Sequence, residues 1–164
     1  MSADDKPPPK RDGIDHPNVI TYPPVIFMLF YGIGYLADRA FPVELGTLQI
    51  RYAIGGLLLA FSGVLVFWAL ARFIRAKTHV DVRKPATSLV TDGPYRLSRN
   101  PMYVALTLFY AGFAIAFSLP LTLGALIPCL IVMRRGVIDR EEAYLDLKFG
   151  DDYRAYKARV RRWI

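Results

Sequence analysis

The chain has 164 residues, 54% of them hydrophobic, and a formal net charge of +7 from 21 Lys and Arg against 14 Asp and Glu. Its charges fall in blocks between long neutral stretches, and the basic residues flank the apolar runs while most Tyr and Phe lie inside them; this points to a membrane protein and sets nucleic acid aside as a partner. A single cysteine, Cys129, excludes an intrachain disulfide and a cysteine zinc cluster, and His16 and His79 are too few and too far apart to suggest a metal site, so no metal is expected.

In chain order, residues 1–16 carry mixed charges and the run Pro7-Pro8-Pro9, and bury too little apolar surface to offset ordering entropy. They read as a disordered cytosolic tail, and residues 17–164 as one membrane domain. No formal charge occurs from Pro17 to Ala37, and Pro23 and Pro24 suit the first turn of a helix, so a first span is placed at about 24–37. After a connector containing Asp38, Arg39, Pro42 and Glu44, the uncharged run Tyr52 to Ala71 gives a second span at 52–71. The segment from Arg72 to Pro101 is polar and basic, and Asp92-Gly93-Pro94 forbids one continuous helix through it.

Met102 to Met133 is uncharged again. As one helix it would be about 48 Å long, against a hydrocarbon core of about 30 Å, so it folds back. The break falls best at Ser118, Leu119 and Pro120, giving spans at 101–117 and 120–135 that form a hairpin. Two cytosolic amphipathic helices follow, at 137–149 and 151–163, separated near Phe149 and Gly150. In the second, Tyr153, Tyr156, Val160 and Trp163 recur every three or four residues, as in a helix lying at headgroup level or packed on the protein's own cytosolic side. The expected fold is all-α: an integral membrane helical bundle of about four transmembrane helices. Nineteen Lys and Arg fall in the tail, the Arg72 to Arg99 loop and the segment after Met133, against two in the first connector, which puts both termini in the cytosol. Gly32, Gly34, Gly55, Gly56, Ala60, Gly112 and Ala116 suggest close helix contacts.

Both segments flanking the hairpin emerge on the same side, so Thr91 to Tyr103 and Arg134 to Phe149 converge. Asn100 before Pro101 reads as an N-cap and first-turn pair, which places a helix N-terminus, a ready anion site, at the membrane surface. Arg96 and Arg99 precede it and suit a carboxylate; Glu141 and Glu142 lie across and suit an ammonium or a ribose hydroxyl pair. A zwitterionic ligand matches both ends. The plain alternative is that these are solvated helix-face charges.

The strings Leu89-Val90-Thr91-Asp92-Gly93-Pro94-Tyr95-Arg96-Leu97-Ser98-Arg99-Asn100-Pro101-Met102-Tyr103, Glu141-Glu142-Ala143-Tyr144-Leu145 and Phe149-Gly150-Asp151-Asp152-Tyr153-Arg154-Ala155-Tyr156 together resemble the isoprenylcysteine carboxyl methyltransferase and phospholipid methyltransferase families. The resemblance covers the chain from about Asp15 to its end. It implies a helical membrane enzyme, without the Rossmann domain of soluble methyltransferases, that holds S-adenosylmethionine between the last hairpin and the C-terminal segment. Carried over by position, Leu89, Gly93, Pro94, Tyr95, Arg99, Asn100, Pro101, Tyr103, Glu141 and Glu142 would contact the cofactor, and Arg99, Asn100 and Glu142 would be catalytic. In the isoprenylcysteine enzymes the position of Asn100 is usually His, so their substrate is not carried over, and the acceptor stays open between an isoprenylcysteine-like carboxylate, a thiol and a lipid amine.

The implied reaction needs positioning more than side-chain chemistry, because a sulfonium is already an activated methyl donor. An amine acceptor would have to lose a proton, for which Glu141 or Glu142 is available. Tyr95 and Tyr103 are placed to flank the sulfonium, or to anchor at the interface. A lipid-like or small acceptor would enter from the bilayer and the cofactor from the cytosol, at the inner membrane of a bacterium. The competing reading is a non-enzymatic small membrane protein, a carrier subunit or assembly factor.

Overall fold

The computed structural model describes residues 16–77, 81 and 84–164. Of the expected disordered tail all but His16 lies outside the described residues, as does His79. Among the described residues every regular element is helical. α1 spans Pro23–Ala40, α2 Leu48–Arg75, α3 Pro101–Ala116, α4 Pro120–Met133 and α5 Asp139–Arg159, with a short 3-10 turn at Gly93–Arg96 before α3.

Local chemistry accounts for the ends of these helices. α1 starts where Pro23 and Pro24 occupy its first two positions and need no N–H partner. α3 and α4 begin in the same way, at Pro101 and Pro120. Between them the chain reverses at Ser118, which takes a left-handed φ of 57°. α2 has 28 residues, about 42 Å, and carries Arg72 and Arg75 in its last turn beyond the apolar stretch.

Four apolar helices make the bundle, and two helical stretches, Leu48–Arg75 and Pro120–Arg159, are long and apolar enough to cross a membrane. The apolar window of α2 is only 17% buried, so this helix shows most of its hydrophobic surface to its surroundings. Leu57, Phe61, Val64 and Phe67 are all more than half exposed. A core helix of a soluble protein would hide them; a helix in lipid has no reason to.

The α3–α4 hairpin sits in the centre, with α2 packed along α3 and α1 packed along α4. At Gly55 an added Cβ would lie 2.7 Å from the carbonyl oxygen of Gly112 and 2.8 Å from the Cβ of Ala116, so the α2–α3 approach needs glycine there. Gly34 meets Thr122 of α4 equally closely. Gly32 and Gly56 meet nothing, and Ala60 is exposed, so these three expected contacts are not made.

Two cores result. One joins α1, α3 and α4 through Ile26, Phe27, Tyr103, Tyr110, Leu126, Cys129 and Met133, reaching Val137 and Ile138. The other joins the end of α2, the 3-10 turn and α5 through Ala69, Tyr95, Tyr153 and Tyr156.

The C-terminal part breaks at Gly150, where two separate helices were expected to part, but its first segment is continuous with α4 and its second ends at Arg159. α4 has 14 residues, about 21 Å, and runs without a break through a π-helical turn, Arg134–Ile138, into α5. Gly136, the helix-breaking residue type between Met133 and Asp139, stays helical here, so one wider turn redirects the helix instead of ending it. The carbonyl of Gly136 in that turn accepts the N–H of Ile20 at 3.2 Å. Gly150, with φ 52° and ψ −123°, divides α5 into two helical segments at the expected position. The last helical residue is Arg159; Val160 is extended, and Trp163 lies beyond the helix and packs beside the first core. Tyr153 and Tyr156 therefore pack on the protein itself with Val160 beside them, and Trp163 leaves their stripe for the first core.

Candidate active site

The C-terminal residues leave helical geometry because their backbone is used elsewhere. The carbonyl of Arg161 accepts the N–H of Arg99 at 2.9 Å, and that of Arg162 accepts Ser98 Oγ at 3.2 Å and Asn100 Nδ2 at 3.0 Å. The segment ahead of α3 is thus stitched to the chain end more than 60 positions later. Asn100 does stand at the N-cap of α3, but its side chain makes no cap bond; it points at Arg162 instead.

Arg99 reaches α5. Its Nη2 and Nε donate to Glu142 Oε1 at 2.7 and 3.2 Å, and its Nη1 donates to the carbonyls of Val160 and Lys157 at 2.8 and 3.2 Å. Glu142 is gripped from the other side by Arg162, whose Nη2 and Nε lie 2.7 Å from Oε2 and 3.1 Å from Oε1, while Arg162 Nη1 pairs with Asp139 at 2.8 Å. Burial alone would raise the Glu142 carboxyl, but the hydrogen bonds and charges of Arg162 and Arg99 outweigh it and hold it below the usual carboxylate range. Arg99, expected to receive a ligand carboxylate, spends all three nitrogens inside the protein. Arg96 is exposed and lines no cavity.

Glu141 is different. Its Oε1 accepts the hydroxyl of Tyr103 at 2.8 Å, and no cation pairs with it among the described residues. Burial pushes its carboxyl up to about 7, opposed by the Tyr103 hydrogen bond and assisted by the charge of Glu142.

These groups border a cavity of about 490 Å³ at the end of the bundle where α1 and α3 begin, α2 ends and α5 starts. Its lining includes Leu89, Tyr95, Arg99, Asn100, Pro101, Tyr103, Glu141 and Glu142, eight of the ten expected cofactor-contacting residues. Gly93 and Pro94 lie behind it. Gly93, at φ 60°, packs against Arg72 and Trp68 of α2, and Pro94 is buried, so the two precede Tyr95 without lining the cavity themselves. Tyr95 and Tyr103 are 6% and 7% exposed, which rules out interfacial anchoring for both. The Tyr95 ring meets Phe73 edge-on at 5.5 Å, and its carbonyl accepts the Tyr156 hydroxyl at 2.7 Å. Burial pushes the Tyr95 hydroxyl well up, so it stays protonated.

Several wall residues were not singled out in the sequence as cofactor contacts. Tyr22, Pro23 and Pro24 come from the start of α1, Val66 and Phe73 from α2, and Met102 and Leu106 from α3. Tyr153 and Tyr156 line it too; both stand in the third motif string, and of the two placements open to their stripe the structure has them packed on the protein itself. Arg162 was missed because nothing local marks one arginine among its basic neighbours as the partner of Glu142.

A bundle of outward-apolar helices, with a cavity bordered by Glu141 and Glu142 at one end, defines a helical membrane protein. The family model described as phospholipid methyltransferase matches residues 50–152, more than half the chain. The protein belongs to that family, which embraces the isoprenylcysteine carboxyl methyltransferases, and is by family a membrane methyltransferase. Methyltransferases of this family generally depend on S-adenosylmethionine. An uncharacterized protein of Haemophilus influenzae is 40% identical over 63 residues, 38% of this chain and 100% of that protein. No solved structure matches the chain.

Proposed function

We propose that the protein is an S-adenosylmethionine-dependent methyltransferase that brings the cofactor and a lipophilic or small acceptor together in the cavity between the start of α3 and the start of α5. One observation carries this reading: the polar stretch ahead of α3 and the acidic start of α5, distant in sequence, border the same cavity of about 490 Å³, within the range of small-molecule sites. The cavity suits the group: Tyr95 offers an aromatic wall, and Glu141, bonded by Tyr103, offers an acceptor for an ammonium or ribose hydroxyls. The cofactor would supply an activated methyl group. The chain's own part is to hold both ligands in line and to exclude water, with Arg99 and Asn100 fixing the segment ahead of α3 rather than touching the reacting atoms.

α1 packs on α4 and α2 on α3, so the walls given by Pro23 and Pro24 on one side and Val66 and Phe73 on the other come from helices on opposite flanks of the hairpin. An apolar acceptor would enter between them from the bilayer, and the cofactor from the aqueous side. The excess of Lys and Arg at this end supports an inner-membrane protein with both termini cytosolic.

Calorimetric titration of the detergent-purified protein with S-adenosylhomocysteine tests the assignment. Saturable binding is expected, weakened more than tenfold, about 1.4 kcal/mol, by Leu89→Trp, which fills the cavity without touching the ion pairs. No binding by the unaltered protein would instead favour a non-enzymatic carrier subunit or assembly factor.

A further inference from the structure

We propose that residues 17–22, the non-helical stretch ahead of α1, form a strap that closes the bundle-end cavity on its α1 side and opens to exchange ligands, and that Gly136 and Arg140 are positioning residues that latch it shut without touching either ligand. This rests on the reading of the cavity as a methyl-transfer site.

Burial alternates along the strap: Pro17 and Val19 are buried, Asn18 and Ile20 exposed. Pro17 and Tyr22 line the cavity, and Val19 shares the first core with Val137 and Ile138 of the π-helical turn. Two hydrogen bonds tie the strap to that turn and to the start of α5. The N–H of Ile20 donates to the Gly136 carbonyl at 3.2 Å, and Arg140 Nη1 donates to the Asn18 carbonyl at 2.6 Å. Neither Gly136 nor Arg140 borders the cavity.

Both residues are explained by the strap. Glycine inside a continuous helical run weakens it, and Gly136 does not take a left-handed φ that would require one. The strap requires it, because a Cβ added at 136 would run into the Ile20 side chain. Arg140 has acids on both sides, but Asp139 is paired with Arg162, and Glu142 with Arg162 and Arg99, while Arg140 reaches back to a backbone carbonyl of the strap.

The attachment is light. Ile20 and Tyr22 are 48% and 42% exposed, so the strap can come away while the helices stay packed, as segments with little buried apolar area open at a fraction of the global cost. Closed, it keeps water from the reacting groups; open, it lets ligands pass.

The full chain in detergent, carrying Val19→Cys, reports the strap through the rate of maleimide modification of the introduced thiol, with the fully buried Cys129 as the slow internal reference. Adding Gly136→Ala or Arg140→Gln is expected to speed modification about tenfold or more, and Arg140→Lys to restore it. In an Ile20→Ala background the effect of Gly136→Ala should vanish, because the new methyl takes the space that Ile20 leaves. Saturating S-adenosylhomocysteine should slow modification, and in rapid mixing it should leave Arg140→Gln about fivefold faster than the unaltered protein or Arg140→Lys.

Modification rates indifferent to both Gly136→Ala and Arg140→Gln would overturn the latch. An undiminished effect of Gly136→Ala in the Ile20→Ala background would show that the glycine serves the turn and not the strap. Faster modification with unchanged S-adenosylhomocysteine dissociation would leave a strap that moves but gates nothing, and would overturn the proposal too. If the unaltered protein binds no S-adenosylhomocysteine, the proposed function falls and the gate with it, while the modification rates still decide the latch; if it binds and the rates fail, only the strap falls.

Discussion

The two ends of the bundle each bury an acid, and they use it differently. At the far end Asp38, in the last turns of α1 and 5% exposed, aims at the N-terminus of α4. Its Oδ1 accepts the N–H of Leu121 at 2.9 Å; its Oδ2 accepts the N–H and hydroxyl of Thr122 at 2.8 and 2.6 Å. Both oxygens are satisfied, Leu45 N–H closes the adjacent turn on Ser118 Oγ at 2.7 Å, and no residue there lines the cavity. The cavity end has the same kind of clasp in Glu142, and beside it Glu141, which among the described residues is bonded by Tyr103 alone. A buried carboxylate with every lone pair occupied joins helices; one facing a cavity half-bonded is open to a ligand.

That contrast can be broken experimentally. The largest effect is expected from Glu142→Ala, which strands two arginines: roughly 3–5 kcal/mol of stability lost in reversible detergent unfolding. Because the Glu142 carboxyl is held below its ordinary value of 4.5, its contribution is fully present at neutral pH and disappears as pH falls below that value, so the unaltered protein and the variant should converge in acid.

Asp38→Ala comes next. It leaves two backbone N–H groups and the buried Thr122 hydroxyl without their acceptor, at a cost of about 3 kcal/mol. Asp38→Asn keeps one acceptor oxygen and should recover about half of that. Binding of S-adenosylhomocysteine should survive in whatever Asp38 variant protein stays folded, since the clasp is at the opposite end. Loss of binding at full folding would show that the two ends are coupled.

Glu141→Gln has the smallest effect and the opposite sign. A carboxyl raised from 4.5 to about 7 binds its proton more tightly in the folded chain, so between those values stability declines as pH rises. The variant should match the unaltered protein near pH 4 and exceed it by roughly 1–2 kcal/mol at pH 8, a discounted figure because water reaches the cavity.

Much of the bundle could be read from short-range features. Prolines 23, 101 and 120 mark helix starts because they lack an N–H that would go unsatisfied there anyway. The hairpin break follows from helix length against bilayer thickness, and the structure reverses at Ser118. Gly150 interrupts its helix because it takes up a left-handed φ easily. The meeting of the Tyr95 to Tyr103 stretch with Glu141 and Glu142 follows from counting crossings.

What escaped the sequence is pairing at long separation. Asp38 read as a connector residue, yet it caps a helix more than 80 positions away. Arg99 read as a ligand for a free carboxylate, yet it is committed to Glu142 and to carbonyls of the chain end. The stripe from Tyr153 to Trp163 obeyed helical periodicity, but helix propensity gave way once three carbonyls from Val160 to Arg162 found donors on Ser98, Arg99 and Asn100.

The sequence by itself determined where the helices begin, that they belong in a membrane, and which two segments carry the polar chemistry, because hydrophobic run length, proline and charge blocks act locally. Only the tertiary structure decided which acid is clasped and which is left half-bonded. Glu141 and Glu142 are the same residue type in adjacent positions, and what separates them is the arginines and the tyrosine that folding brings to each.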